Sequence, residues 1–261
     1  MTVSASDNWI PTENGRLFAR VWTPADSPVT GETIVLFHDS LGCVELWRDF
    51  PDQLARATGR RVVAYDRLGF GRSDPHPGLL SPSFISLEAA TTVPLVLDSL
   101  GLGTIVPFGH SVGGGMAIAT AARWPERCAA VITESAQSFI EDRTLAGIRA
   151  ARAEFAQPGQ MERLARYHGA KAPWVLNAWV ETWLGPDFAH WNLDDDLRRL
   201  RRPALTIHGD RDEFGSLEQP ERIVRETDGL ARAVILDDCG HVPHREHASR
   251  VLDEVARFLD E

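Results

Sequence analysis

Residues 104–124 read TIVPFGHSVGGGMAIATAARW: a short apolar run, a glycine-rich turn and an alanine-rich segment. The run Thr104–Phe108 predicts a buried strand, and Val112–Trp124 predicts a helix that the following proline stops. Between them, Gly109–Gly113 fits the pattern G-x-S-x-G, with Ser111 at its centre. The sequence therefore predicts a serine on a sharp strand-to-helix turn.

The sharpness of this turn explains why the pattern needs its glycines. Gly109 and Gly113 keep side chains away from the strained backbone at Ser111, whose hydroxyl lies at a helix N-terminus that favours negative charge. Glycine-rich turns of other parallel sheets, phosphate loops included, share the pattern. No Lys-Ser/Thr pair follows these glycines and no GxGxxG is present, which argues against a phosphate loop. Pro107 removes a backbone donor, so we expect an irregular hydrogen bond within the strand.

Composition narrows the class of protein. The chain has 261 residues, of which 43% are hydrophobic, which suits one large domain or a domain with an insertion. No apolar run reaches about 18 residues, which argues against a membrane span, and the first residues lack the features of a signal peptide. The net charge of -10 argues against nucleic acid or anionic membranes as partners. Three cysteines without a CxxC pair indicate a reducing compartment, so we expect a cytoplasmic protein.

Strand-like and helix-like segments alternate along most of the chain. Glu13-Asn14-Gly15 predicts a hairpin between two early strands. Later strands are predicted at 33–37, 61–65, 104–108, 129–133, 204–208 and 233–236, and helices at 46–57, 87–100, 112–124, 217–227 and 251–259. The alternation is typical of an α/β protein with a mostly parallel, doubly wound sheet, and the first strands are expected to form an antiparallel edge.

Residues 136–200 interrupt this alternation with helix-like mixtures of polar and apolar residues. Outside this segment, polar side chains follow the ends of predicted strands: these are Ser40, Ser111, Glu134, Asp212 and His241. Because functional residues of parallel sheets gather at the carboxyl ends of strands, we expect these side chains to lie close together.

Four motifs resemble the α/β-hydrolase fold, most closely its small capped, esterase-like members. They are GHSVGG at 109–114, DRLGFGRSD at 66–74, HGDRD at 208–212 and DCGHVPH at 238–244. The resemblance implies Ser111 as nucleophile, Asp212 as acid and His241 as base, in the chain order of this family. We expect no cofactor and no metal.

The same resemblance implies an oxyanion hole and a lid. The backbone N–H groups of Ser40 and Val112 are the expected oxyanion donors. Residues 136–200 are expected to form a helical cap over a core made of 1–135 and 201–261. One departure is Asp39, which stands where the family usually has glycine after His38. An acidic side chain beside the oxyanion hole disfavours the anion that the hole must hold.

Other assignments stay open for some of these residues. Glu134, at the end of the strand after the elbow, is an alternative acid, and Asp210 is a close neighbour of Asp212. His244 and His247 fit a helix face better than a metal site. His38 and His110, next to the reactive positions, are expected to be structural, with rings hydrogen-bonded beneath the turns.

Tryptophans of the cap suggest an apolar or aromatic substrate pocket, with Trp174, Trp179 and Trp183 as candidates, although a cap core explains them equally well. The predicted function is hydrolysis of a small carboxylic ester, thioester or lactone through an acyl-enzyme. Alternatives are hydrolysis of a C–C bond next to a ketone in a ring-cleavage product, and a receptor or scaffold with an idle triad. Labelling of Ser111 by an organophosphorus probe separates the enzymes from the scaffold.

Overall fold

An eight-stranded sheet runs through the protein, and the computed structural model describes residues 2–25, 29 and 31–261. Its strands are β1 (Val3–Thr12), β2 (Gly15–Pro24), β3 (Thr33–Phe37), β4 (Val62–Tyr65), β5 (Ile105–His110), β6 (Val131–Glu134), β7 (Ala204–Gly209) and β8 (Ala231–Leu236). They lie in the order β1-β2-β4-β3-β5-β6-β7-β8. β1 pairs with β2 and β2 with β4 in antiparallel fashion, and all other pairs are parallel. The predicted fold class is therefore confirmed, antiparallel edge included.

Helices cover the two faces of this sheet. They are α1 (Phe50–Thr58), α2 (Phe84–Leu87), α3 (Val93–Ser99), α4 (Val112–Arg123), α5 (Asp142–Phe155), α6 (Gln160–His168), α7 (Ala172–Trp183), α8 (Asp194–Arg199), α9 (Glu218–Glu226), α10 (Pro243–Glu246) and α11 (Ala248–Asp260). Successive side chains of a strand point to opposite faces. In β3, Val35 and Phe37 accordingly join one apolar cluster, and Ile34 and Leu36 join the cluster on the other side. This double burial explains why the sequence of β3 is continuously apolar.

The expected helix over 87–100 differs from the observed elements. α2 ends at Leu87, where the expected helix begins, and a π-helical turn at Glu88–Thr92 separates α2 from α3. Glu88 accepts a 2.6 Å hydrogen bond from the Tyr65 hydroxyl, which ties this turn to the end of β4. Pro94 occupies the first turn of α3, where a missing backbone donor costs nothing.

β5 contains Pro107, and part of its hydrogen bonding to the neighbouring strand is missing. Pro107 is in register with Val35 of β3. On the other side, pairing with β6 begins only at Phe108, and Ala129 donates to the carbonyl of Ile105 before β6 starts. The irregularity expected at Pro107 thus falls on the side facing β6.

A helical insertion, α5 to α8, separates β6 from β7. The division into a core of 1–135 and 201–261 and a cap of 136–200 stays a prediction, and Met1, residues 26–28 and Thr30 of that core lie outside the described residues. None of the helices in the described ranges is both long and apolar enough to cross a bilayer.

Candidate active site

The turn between β5 and α4 holds Ser111 in a conformation that few side chains adopt. Its backbone angles are φ 54° and ψ −125°, in the region where non-glycine residues are strained. A Cβ at Gly109 would overlap the carbonyl of Gly113, and one at Gly113 would overlap the carbonyl of Phe37. The glycines of the motif are therefore required by close backbone packing.

The hydroxyl of this serine is shielded from bulk water. Ser111 is 7% exposed, and its Oγ lies 3.4 Å from Oε1 of Gln137, to which it donates. Ser111 also lines a cavity of about 160 Å³, so the hydroxyl is accessible from this cavity.

A buried carboxylate orients His241 at the wall of the same cavity. Nδ1 of His241 lies 2.9 and 2.8 Å from the two carboxylate oxygens of Asp212. Asp212 is fully buried, and Oδ1 also accepts the backbone N–H groups of Phe214 at 2.7 Å and Gly215 at 3.2 Å. Burial by itself raises the pKa of this carboxyl, but the hydrogen bond and charge interaction with His241, together with His208 and the N–H of Phe214, outweigh it and hold the pKa below its usual value. Asp212 is therefore an anion facing the imidazole.

Ser111 and His241 both line the cavity, but no hydrogen bond joins their side chains. Among the described residues, the Ser111 hydroxyl bonds to Gln137 and not to His241. Hydrogen bonds between a nucleophile and its base are often long in the absence of substrate and tighten when it binds.

The three candidate acids differ in their hydrogen-bond partners. Glu134 does not contact His241; its Oε2 lies 2.7 Å from Nδ1 of His244. Asp210 is exposed and accepts the backbone N–H of Cys239 at 3.2 Å. The carboxylate that meets His241 is thus Asp212. Within the described part of the chain, no group of three or more His, Cys, Asp or Glu side chains is placed to hold a metal ion.

The two expected oxyanion donors have no hydrogen-bond partner among the described residues. The backbone N–H groups of Ser40 and Val112 donate to no other described residue, and Ser40 lines the cavity. Asp39 shapes the turn before Ser40, since its Oδ1 accepts the N–H of Leu41 at 2.8 Å. Its other oxygen, Oδ2, lies 3.3 Å from Nδ1 of His110.

His38 and Arg67 support this turn from beneath. Nδ1 of His38 lies 2.8 Å from the carbonyl of Asp39, and Nε2 accepts the backbone N–H of Arg67 at 3.2 Å. The Arg67 guanidinium donates to the same Asp39 carbonyl at 2.8 Å. Burial, with the neighbouring guanidinium, holds the pKa of His38 well below its usual value, so this ring is neutral. The expectation of a structural ring beneath the turn is confirmed for His38.

Apolar side chains make up most of the remaining cavity wall. They are Leu41, Ile148, Trp179, Trp183, Phe214 and Val242. Trp174, predicted with the other two tryptophans, lies elsewhere: its Nε1 donates to the carbonyl of Gly78 at 2.8 Å and its ring stacks on His76. Trp174 therefore does not line this cavity, because its side chain packs against the segment that follows β4, and a role for it in substrate binding stays a prediction.

Gln137 and the start of α5 were missed by sequence reasoning. Arg143 and Thr144 donate to the carbonyls of Asp212 and Phe214 at 2.8 and 2.6 Å. The helical insertion is thereby anchored to the loop that carries Asp212. No motif marks these positions; the only available signal for Gln137 was its place three residues after the end of β6.

Fold and site together define an α/β hydrolase. Residues 32–195 match the model of the α/β hydrolase fold family, and the chain belongs to that family.

Two curated relatives resemble most of the chain. One is a 2-hydroxy-6-oxononadienedioate/2-hydroxy-6-oxononatrienedioate hydrolase from Burkholderia vietnamiensis, 28% identical over 90% of this chain and 89% of the relative. Another is a 2-hydroxymuconate semialdehyde hydrolase from a Pseudomonas species, 30% identical over 82% of this chain and 81% of the relative. Among solved structures, carboxylesterase CesB from Bacillus subtilis superposes with a TM-score of 0.70 at 22% identity, over 98% of this chain and 92% of that one. At that identity the structural likeness concerns the fold alone.

Proposed function

We propose that this protein is a cofactor-free serine hydrolase that attacks a carbonyl carbon and forms an acyl-enzyme on Ser111. The observation that carries the proposal is the pairing of His241 with fully buried Asp212 in the wall of the cavity that Ser111 lines. A hydroxyl alone is a poor nucleophile at neutral pH, and a base oriented by a carboxylate is what activates it.

Proton transfer follows from the hydrogen bonds of the histidine. Nδ1 carries the proton that it donates to Asp212, so Nε2 is the acceptor for the Ser111 proton. The imidazolium then returns this proton to the leaving group, while Asp212 stabilises the charged ring. The N–H groups of Ser40 and Val112 stabilise the oxyanion of the tetrahedral intermediate, and water ends the cycle by hydrolysing the acyl-enzyme.

As the first candidate for the bond that is hydrolysed, we propose a C–C bond next to a ketone. The two relatives described above are named as hydrolases of 2-hydroxy-6-oxononadienedioate or its trienedioate and of 2-hydroxymuconate semialdehyde, and they match four-fifths or more of the chain. In this reaction the acyl carbon stays on Ser111, the other carbon fragment leaves with the bonding electrons and a proton, and water releases a carboxylic acid.

A carboxylic ester is the second candidate, and the cavity wall favours it. No lysine or arginine lines the cavity in the part of the chain that the structure describes. A doubly charged substrate such as a dienedioate therefore lacks a lysine or arginine partner inside this cavity, whereas an uncharged apolar or aromatic ester needs none.

Parallel assays of the two bond types test the proposal. In one assay the purified protein is mixed with 2-hydroxymuconate semialdehyde, and hydrolysis is measured as the loss of the substrate's absorbance. In the other assay it is mixed with p-nitrophenyl esters from acetate to octanoate. Ser111→Ala should abolish whichever activity is found, and Ser249→Ala, on an exposed helix position, should leave it unchanged. An organophosphorus probe should label Ser111 in the wild type. Folded protein that is not labelled and hydrolyses neither substrate class would support the idle-triad alternative and overturn the proposal.

A further inference from the structure

Both ring nitrogens of His110 face groups that can only accept a hydrogen bond. Nε2 lies 2.7 Å from the backbone carbonyl oxygen of His241, and Nδ1 lies 3.3 Å from Oδ2 of Asp39. The ring is 2% exposed, so water does not take the place of either partner. A neutral imidazole carries one N–H and one lone pair. With a carbonyl at one nitrogen, the neutral ring would direct its lone pair at the carboxylate of Asp39.

We infer that His110 is a buried imidazolium paired with the Asp39 carboxylate, and that it acts as a positioning residue that removes net negative charge from the oxyanion site. The pairing itself stands on the contacts of His110 alone. Its effect on turnover rests on the proposed function.

The charges of Asp39 and His110 matter because of where this pair lies. Asp39 is adjacent to Ser40, and His110 is adjacent to Ser111, so the pair lies next to one oxyanion donor and the nucleophile. Without a counter-ion, the Asp39 carboxylate would repel the oxyanion that forms there. With the imidazolium, the two charges cancel. This resolves the conflict between an acidic residue at position 39 and the chemistry expected beside it.

The pair also connects two loops that must stay in register. Asp39 belongs to the loop after β3, and the carbonyl that His110 holds belongs to His241 in the loop after β8. Since His110 ends β5, one side chain fixes the oxyanion loop and the histidine loop relative to the nucleophile.

The remaining charged groups around His110 support the imidazolium form. Glu134, at the end of β6, adds a carboxylate that favours a charged ring, and its own hydrogen bond is to His244. The rings of His241 and His244 each lie 5.1 Å from that of His110. Burial by itself lowers the pKa of His110, but Asp39, Glu134 and the carbonyl of His241 together outweigh it and raise the pKa above its usual value. Burial raises the pKa of Asp39, but His110, His38 and the N–H of Leu41 together outweigh it and hold that pKa well below the usual range.

NMR of the ring nitrogens tests the pairing without any substrate. Protein with ¹⁵N-labelled histidine is compared with the His110→Gln variant to assign the signals, and His190→Gln, at an exposed position, serves as the control. At about pH 7, both nitrogens of His110 should be protonated, whereas exposed histidines are mostly neutral. In Asp39→Asn, one of the two protons should be lost. A wild-type His110 with a single protonated nitrogen would overturn the inference, whatever reaction the enzyme catalyses.

Kinetics test the positioning role with whichever substrate is turned over. We expect His110→Gln to lower kcat by about tenfold or more at an unchanged KM, less than the roughly 100- to 1000-fold cost of losing an oxyanion donor outright. In the double variant with Asp39→Asn, the uncompensated charge is gone, and kcat should recover toward that of Asp39→Asn alone. Strictly additive losses in kcat would exclude the electrostatic role. If the His110→Gln protein does not fold, Asp39→Asn in the wild-type background still gives the NMR result.

Discussion

Replacing Asp212 by Asn keeps the size of the side chain but removes the negative charge that faces His241. The Asp212 carboxylate lies 2.8 Å from Nδ1 of His241 and is fully buried. Two unit charges at that distance attract each other by about 6 kcal/mol at an effective dielectric constant of about 20. If most of this energy is present only when the imidazole is charged in the transition state, kcat should fall by about 10⁴-fold. An amide nitrogen turned toward Nδ1 would also favour the wrong tautomer of the ring, which acts in the same direction.

The assay is steady-state turnover of the substrate found active, with Glu134→Gln as the matched control. Glutamine at 134 retains an oxygen that can accept from His244, so its kcat should stay within about tenfold of wild type. Urea unfolding of both variants separates catalysis from folding, since Asp212 also accepts two backbone N–H groups whose loss costs about 1–3 kcal/mol. A folded Asp212→Asn protein with near-normal kcat, alongside a strongly impaired Glu134→Gln protein, would refute the assignment of the acid.

Three further predictions concern the turn, the cavity and pH. Gly113→Ala should lower the free energy of unfolding by about 1–3 kcal/mol, because the new methyl group overlaps a backbone carbonyl of β3; Gly103→Ala, where no atom lies within 4 Å, should change the urea midpoint little. Trp179→Ala should raise KM for aromatic esters, because the ring lines the cavity, while Trp174→Ala should leave KM unchanged. Because the folded pKa of His110 is raised above 6.5, its contribution to stability is complete below about pH 6.5 and is lost as pH rises through the folded pKa. Urea unfolding from about pH 6 to about pH 9 should show this loss in wild type and not in His110→Gln, and a wild-type stability that rises over that window would contradict it.

Much of the sheet was predictable because its strands are buried on both faces. β3 is apolar without interruption, and the turn at Glu13-Asn14 joins β1 to β2 as the hairpin signal indicates. Errors arose where a contact distant in sequence decided the local structure. The helix expected over 87–100 begins instead with a π-helical turn at Glu88–Thr92, in which the Glu88 carboxylate accepts a hydrogen bond from the Tyr65 hydroxyl. Ala129, expected within β6, instead donates to Ile105 before the strand begins.

The chemical groups of the site were visible in the sequence, but their partners were not. Glu134 and Asp212 both come near the ends of neighbouring parallel strands, so position along the chain could not choose between them. The choice depends on which carboxylate the loop after β8 approaches, and that loop brings His241 to Asp212 and His244 to Glu134. Gln137 carries no motif, and its importance comes only from the 3.4 Å contact with the Ser111 hydroxyl.

Asp39 shows that the effect of a charged residue on a site cannot be predicted from the loop that carries the residue. Taken alone, an acidic residue beside Ser40 opposes the anion that the Ser40 N–H is expected to bind. The residue that changes this balance is His110, which is far along the chain but adjacent in the sheet because β3 and β5 are paired. Parallel pairing brings the ends of these two strands to one edge, so that the residue before Ser111 meets the residue before Ser40. The charge around Ser40 therefore depends on the pairing of β3 with β5, which brings His110 next to Asp39.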